Sequence, residues 1–141
     1  MFVEALALTY TGTRDSITRH IQRRGLLEAA RSDFRDYQQM EYLPEWWELA
    51  YTEDGALAGV IMAGRIPSSA VIGHVGVVPE QRGRGFAVQL VRRGTQQLVA
   101  GGASEIRGDC DRDNVAMVKA FRRAGYEQTT RRRTYQCRLP L

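Results

Sequence analysis

The chain is poor in cysteine, proline, lysine and long apolar runs, and each shortage excludes something. Two cysteines, Cys110 and Cys137, cannot staple 141 residues, so a disulfide scaffold is excluded and a reducing, cytoplasmic setting is the expectation. No apolar stretch approaches the roughly 18 residues of a membrane span. The first ten residues carry Glu4 and no basic segment, unlike a secretory leader. There is no repeat, low-complexity tract or Pro/Ser-rich linker. At 43% hydrophobic and 26% charged residues the composition is that of an ordinary globular chain, and its length suits a single domain spanning 1–141.

Lysine is nearly absent and arginine is not: Lys119 stands against 19 arginines, for a net charge of +4. The charge divides unevenly. Residues 1–70 hold 7 arginines and 10 carboxylates, whereas residues 71–141 hold 13 cations and 6 carboxylates. An anionic ligand therefore belongs with the second half, and the first half is free to favour a cation. The arginines at 122, 123 and 131–133 come with no base-reading motif, so nucleic acid is not an expected partner; neither is a membrane.

Apolar spacing gives a coarse map. Residues 1–40 read as helical, with Ile17, Ile21 and Leu26 to Ala30 in one segment that Asp15 or Ser16 would cap; Phe2 to Thr9 fits a helix or a strand, with helix preferred. Trp46 to Thr52, the turn Glu53-Asp54-Gly55 and Leu57 to Ile66 read as a hairpin. Ala70 to Val78 is a third strand stopped by Pro79. A helix is predicted over Arg84 to Ala100, a short strand over Ser104 to Cys110, and a helix over Asn114 to Ala124. Tyr126 to Thr129 and Thr134 to Arg138 complete the pattern as strands. This order predicts an α/β (α+β) fold, a mixed sheet with helices on both faces.

The informative segment is Val77-Val78-Pro79-Glu80-Gln81-Arg82-Gly83-Arg84-Gly85-Phe86-Ala87. A strand ends, glycines follow and a helix starts at once, so bare backbone donors and the positive end of a helix dipole converge. Such a loop suits a diphosphate, with Arg82 and Arg84 adding charge. It is not a P-loop, which needs Gly-Lys-Ser/Thr. A dinucleotide fingerprint would need glycine at 88, where Val88 stands, although Glu105 lies about 20 residues on.

Arg82-x-x-Gly85-x-Ala87 after Val-x-Pro-Glu resembles the acyl-CoA loop of the GNAT superfamily of N-acetyltransferases. Asn114, followed by Phe121 and Gly125-Tyr126, matches a second motif of that family. The resemblance covers roughly residues 46–138; residues 1–40 share only helical character. The family's usual first strand is not obvious, which is compatible with a truncated form or a piece of a longer protein. The resemblance implies a GNAT-like twisted sheet with a splay between two central strands, here Val71–Val78 and Ser104–Cys110, and acetyl-CoA as cosubstrate. It implies that Val75 supplies the amide polarising the thioester carbonyl and Val77 holds the pantetheine arm. Arg82, Gly83, Arg84, Gly85, Phe86 and Ala87 would bind the diphosphate, and Asn114 would lie near the arm. The implied reaction is direct attack of an amine in a ternary complex, without metal or covalent intermediate; oligomeric state stays open, a homodimer included.

Phe121 departs from the family's frequent tyrosine, which protonates the leaving thiolate. A thiol of pKa about 8.5 leaves with little help, whereas an amine of pKa about 10.4 is neutral in only about one part in 2,500 at pH 7, a deficit of about 4.6 kcal/mol. Removing the amine's proton is the larger problem. Asp111 is the favoured base, although it could instead cap a helix; Asp109, His74, Glu41, Glu45 and a water relay are alternatives. Strand alternation sets His74 on the opposite face from Val71, Gly73 and Val75. Asp33, Asp36, Tyr42, Glu45, Trp46 and Trp47 are the candidates for holding a cationic acceptor. The rival reading is a non-catalytic module that binds acyl-CoA as a sensor or scaffold.

Overall fold

The computed structural model describes residues 1–11 and 25–130. The predicted cap at Asp15 or Ser16, the helical Ile17 and Ile21, Arg131 to Arg133 and the strand Thr134 to Arg138 lie outside the described residues. In chain order the elements are α1 (Phe2–Tyr10), α2 (Leu26–Tyr37), β1 (Trp47–Tyr51), β2 (Leu57–Ile66), β3 (Ser69–Val77), α3 (Phe86–Ala100), β4 (Ile106–Gly108) and α4 (Val115–Arg123). Single 3-10 turns, each opened by a proline, precede β1 and follow β3. The four strands form one mixed sheet in the order β1-β2-β3-β4, antiparallel except for the parallel β3–β4 pair. Most predicted elements are present, with two differences. β4 is three residues rather than seven, and Tyr126 to Thr129 is not a strand, so β4 is an edge strand among the described residues.

Why these segments fold this way follows from the pattern. The apolar run of β2 is buried on both sides, with Val60, Ile61, Met62 and Ala63 fully enclosed, as a strand sandwiched between helical layers must be. α3 lays Leu90, Val91, Gly94 and Leu98 on one face, where Gly94 brings the helix close to Ile61 and Ile72. α1 lays Ala5, Leu6, Thr9 and Tyr10 on the other side of the sheet. There Gly76 of β3 sits under Thr9 so closely that a Cβ would lie 2.6 Å from the threonine's own; only glycine permits that approach. The paired tryptophans belong to this core. Trp46 and Trp47 are 4% and 7% exposed, the Trp47 indole N–H donates to the Ala63 carbonyl at 3.0 Å, and Tyr42 stacks on Trp47.

Candidate functional site

β3 is the element that makes a site. Its register with β2 passes from Ala63↔Ile72 to Met62↔His74, leaving Gly73 as an extra residue. A bulge of this kind bends a strand and increases its twist. Pairing with β4 covers only Ala70, Val71 and Ile72, so the two parallel strands part at the bulge.

The backbone parity beyond the bulge can be read from one bond. The Val78 N–H donates to the Ala58 carbonyl at 2.9 Å, which makes 58 and 78 a hydrogen-bonded pair. Alternation then makes Gly59↔Val77 and Ile61↔Val75 non-hydrogen-bonded pairs. The N–H and C=O groups of Val75 and Val77 therefore point away from β2, into the gap left by β4. A cavity of about 720 Å³ occupies that gap, lined by residues 72–77, the loop around Gly83 and Gly85, the start of α4, and Thr9, Tyr10, Asp33 and Tyr37.

The loop at the mouth is built as its sequence suggests. Gly83 and Gly85 have φ of 79° and 83°, conformations that glycine adopts without strain, and a Cβ on either would meet open space. The N–H groups of Gly83, Arg84 and Gly85 have no hydrogen-bond partner among the described residues. α3 starts immediately, with no side-chain cap and no acidic residue in its first turn. Phe86 and Ala87 line the cavity. Arg84 is exposed, bonded to the Gln81 side chain and resting over the Phe86 ring.

Arg82 does something different. Its Nε donates to the Val77 carbonyl at 3.1 Å and its Nη2 to the Thr9 carbonyl at 3.0 Å, joining β3 to the last turn of α1. Burial draws its pKa down from the usual arginine value, opposed by nearby Glu80. Asn114 caps α4 by accepting the Met117 N–H on Oδ1 at 3.3 Å, which leaves its NH₂ end as a donor at the cavity wall.

Across the gap the wall is His74 with residues from the two helices. Because of the bulge, Gly73 and His74 share a face, against the alternation expected from sequence: a Cβ on Gly73 would meet Met40, and His74 Nε2 lies 3.1 Å from Thr9 Oγ1. The Thr9 hydroxyl has one proton and donates it to the Leu6 carbonyl at 2.7 Å. Nε2 must then carry the hydrogen, and Nδ1 holds a bare lone pair. Burial lowers the His74 pKa to about 4, so the ring is neutral at physiological pH. Tyr10 and Tyr37 flank it with ring centroids at 5.7 and 6.0 Å. The Tyr10 hydroxyl donates to Asp33, and burial chiefly, then that bond, raises the tyrosine pKa. Asp33 is itself raised by burial, with Tyr10 opposing and Asp36 adding to the rise.

Several expected site residues lie elsewhere. Asp111 does not line the cavity; its carboxylate accepts the Asp113 N–H at 2.9 Å in the turn before α4. Asp109 does line it. Glu41 bridges to Arg65 across the sheet edge, and Glu45, Trp46, Trp47 and Tyr42 do not line the cavity. Phe121 lines it, 8% exposed and edge-on to Tyr126. The Tyr126 hydroxyl is bonded to Thr95 on α3 at 2.6 Å and does not replace the missing phenol. Thr9, Tyr10 and Tyr37 were not foreseen. Thr9 and Tyr10 sit on the buried stripe of α1, a signal of contact, but the His74 ring they both meet lies more than 60 positions away.

A strand edge opened above a glycine loop and a helix N-terminus defines a domain able to lay an extended, amide-bearing chain along β3 with its anionic end in the loop. The comparisons agree with that class. The model of the acetyltransferase (GNAT) family matches residues 16–126, and the chain belongs to this family. An acetyltransferase of Yersinia enterocolitica is 30% identical over 90 residues, 64% of this chain and 63% of that protein; the match thus spans under two-thirds of the relative. The aminoglycoside N-acetyltransferase AAC(6')-Iy, solved in complex with CoA, superposes with a TM-score of 0.55 at 26% identity, covering 80% of this chain and 78% of that one. A transcriptional regulator from Bacillus halodurans superposes at 0.62 with 16% identity over 96% and 90% of the two chains, a likeness of fold alone. No helix among the described residues is long and apolar enough to cross a membrane.

Proposed function

We propose that the protein is an acetyl-CoA-dependent N-acetyltransferase acting on an amine by direct attack in a ternary complex. The observation that carries this reading is the edge of β3 beyond Ile72, which has no paired strand among the described residues and where the Val75 backbone groups and the Val77 N–H face a cleft that ends at the glycine loop. Pantetheine's amides would pair with that edge as an added strand does, the Val77 N–H among their partners. The Val75 N–H would donate to the thioester oxygen as it becomes an oxyanion, a contribution of about 3 kcal/mol in sites where such a donor has been removed. The N–H groups of residues 83–87 with Arg84 would take the diphosphate, and the Asn114 amide would steady the arm.

No side chain at Phe121 can donate a proton, so thiolate departs unassisted. The amine's proton is the step that needs help. His74 adjoins Val75, is neutral, and has Nδ1 unprotonated, which makes it a better-placed acceptor than Asp111; with its low pKa it would orient the amine and pass the proton on through water. Asp33 and Asp109 with Tyr37 would favour a cationic acceptor, and aminoglycoside-like amines are a sensible first panel given the relative that acts on them.

The test combines binding with turnover. Acetyl-CoA should raise the melting temperature, and CoA thiol should appear with at least one amine of a broad panel. A proven binder that releases no thiol with any amine would instead support the non-catalytic module that Phe121 also suits. No thermal shift at all would sink both readings.

A further inference from the structure

We propose that Arg82 is a positioning residue that ties the diphosphate loop to the acceptor wall, so that CoA filling the loop also steadies α1. The inference rests on reading the cleft as an acyl-CoA site. A loop arginine next to a diphosphate would ordinarily be assigned to phosphate. Here two of its donors are already committed to carbonyls, Nε to Val77 and Nη2 to Thr9 across 73 positions of sequence.

Among the described residues neither acceptor has another partner. The Val77 carbonyl faces the open gap, and the Thr9 carbonyl belongs to the last turn of α1, where intrahelical partners run out. A guanidinium there also meets the negative end of the helix dipole. Arg82 as a residue is exposed, but both of these bonds are part-buried, and an ionised donor makes them stronger than bonds between neutral groups.

The connection continues from Thr9. Its side chain accepts from His74 Nε2, and His74 precedes Val75, whose N–H faces the cleft. Loop, α1, His74 and the open edge of β3 thus form one hydrogen-bonded circuit. Among the described residues the loop's other bonds are local, the Gln81 N–H to Val78, the Arg82 N–H to Pro79 and Arg84 to Gln81, so the bonds of the Arg82 side chain are the ones that reach α1. Ordering the loop with a ligand would therefore be transmitted through Arg82, and the coupling is reciprocal by linkage.

Hydrogen exchange of the α1 amides, with and without CoA, tests this in the wild type, Arg82→Ala and Arg82→Lys. Dissociation constants for CoA and for pantetheine, which lacks the phosphates, are measured alongside. In the wild type CoA should slow α1 exchange on the order of tenfold, the effect of about 1.4 kcal/mol of local stabilisation. In Arg82→Ala exchange should be faster and insensitive to CoA; Arg82→Lys, with one compact donor group, should restore part of the protection. The CoA-to-pantetheine affinity ratio should stay within about twofold of wild type.

A ratio that collapses in Arg82→Ala would make Arg82 a phosphate ligand and overturn the proposal, as would CoA protection of α1 that survives the substitution. Should Arg82→Ala not fold, Arg82→Lys is judged by the same two measurements. Failure of CoA to bind the wild type would overturn the cofactor reading and with it the coupling, whereas basal α1 exchange in the variants decides the brace by itself.

Discussion

The two halves of β3 are built from similar residues and live in different surroundings. Ala70 to Ile72 has a strand on either side, β2 and β4; among the described residues Gly73 to Val77 has only β2. The first half is sheet core, with Ile72 packed against α3. The second half keeps its fold through β2, α1 and Arg82, and spends its outer edge on a cleft. One inserted residue, Gly73, separates them. Along this one strand side chains pack the first half, whereas in the proposed function main-chain groups serve the second.

Substitutions along the strand test that division. The largest effect belongs to the paired half. Ile72→Ala should cost about 3 to 4 kcal/mol by leaving a cavity against α3, read as a lower urea midpoint at unchanged slope. Next comes acid. His74 stays neutral in the folded protein down to about pH 4 but titrates near 6.5 when unfolded, so the unfolded state binds more protons between those values and stability must fall as pH drops through that window. The loss should reach up to about 3 kcal/mol. Asp33, raised by burial, works in the opposite sense at the acid end, so the comparison with His74→Gln isolates the histidine: that variant should show a flatter stability–pH curve.

The open half should respond to ligand more than to truncation. Gly85→Arg forces a side chain onto a φ of 83° at the loop and should abolish the thermal shift given by acetyl-CoA, worth about 2.7 kcal/mol at a concentration 100-fold above Kd. Val75→Ala should cost only about 1 kcal/mol in stability and leave acetyl-CoA binding unchanged, because the proposed contact is main chain. Weak binding in Val75→Ala would mean that the side chain matters, and the contrast between the halves would fail. The smallest effect is expected far from the cleft. Arg93 pairs with Glu48 through two bonds of 3.0 and 2.8 Å, but both are substantially exposed, and Glu48→Gln should cost under about 1 kcal/mol.

How much of this was legible in the chain depended on distance along it. The hairpin, the long helix and the glycine loop rest on local pattern, and they stand in the structure within a residue or two. Positive-φ glycines before a helix are a backbone requirement written in the residues themselves. The cavity wall opposite the loop is legible only in part. The sequence points to Asp33, which lines it, and leaves Trp46 and Trp47 between a core and an acceptor role; both are core, with Tyr42 packed against them. Tyr10, Tyr37 and Thr9 were missed because nothing local distinguishes a buried stripe on the sheet from one that meets a histidine. The bulge was invisible, and with it went the facing of His74.

The sequence by itself determined the hairpin, the long helix, the glycine turn that starts it and the absence of a phenol at Phe121, since each depends on spacing or on residue chemistry. Only the tertiary structure decided where β3 and β4 part, which carbonyls Arg82 holds and which tautomer His74 adopts. These depend on register across strands and on partners 65 or 73 positions apart. Pairings at that separation are selected by the packing of the whole molecule, and no local preference encodes them.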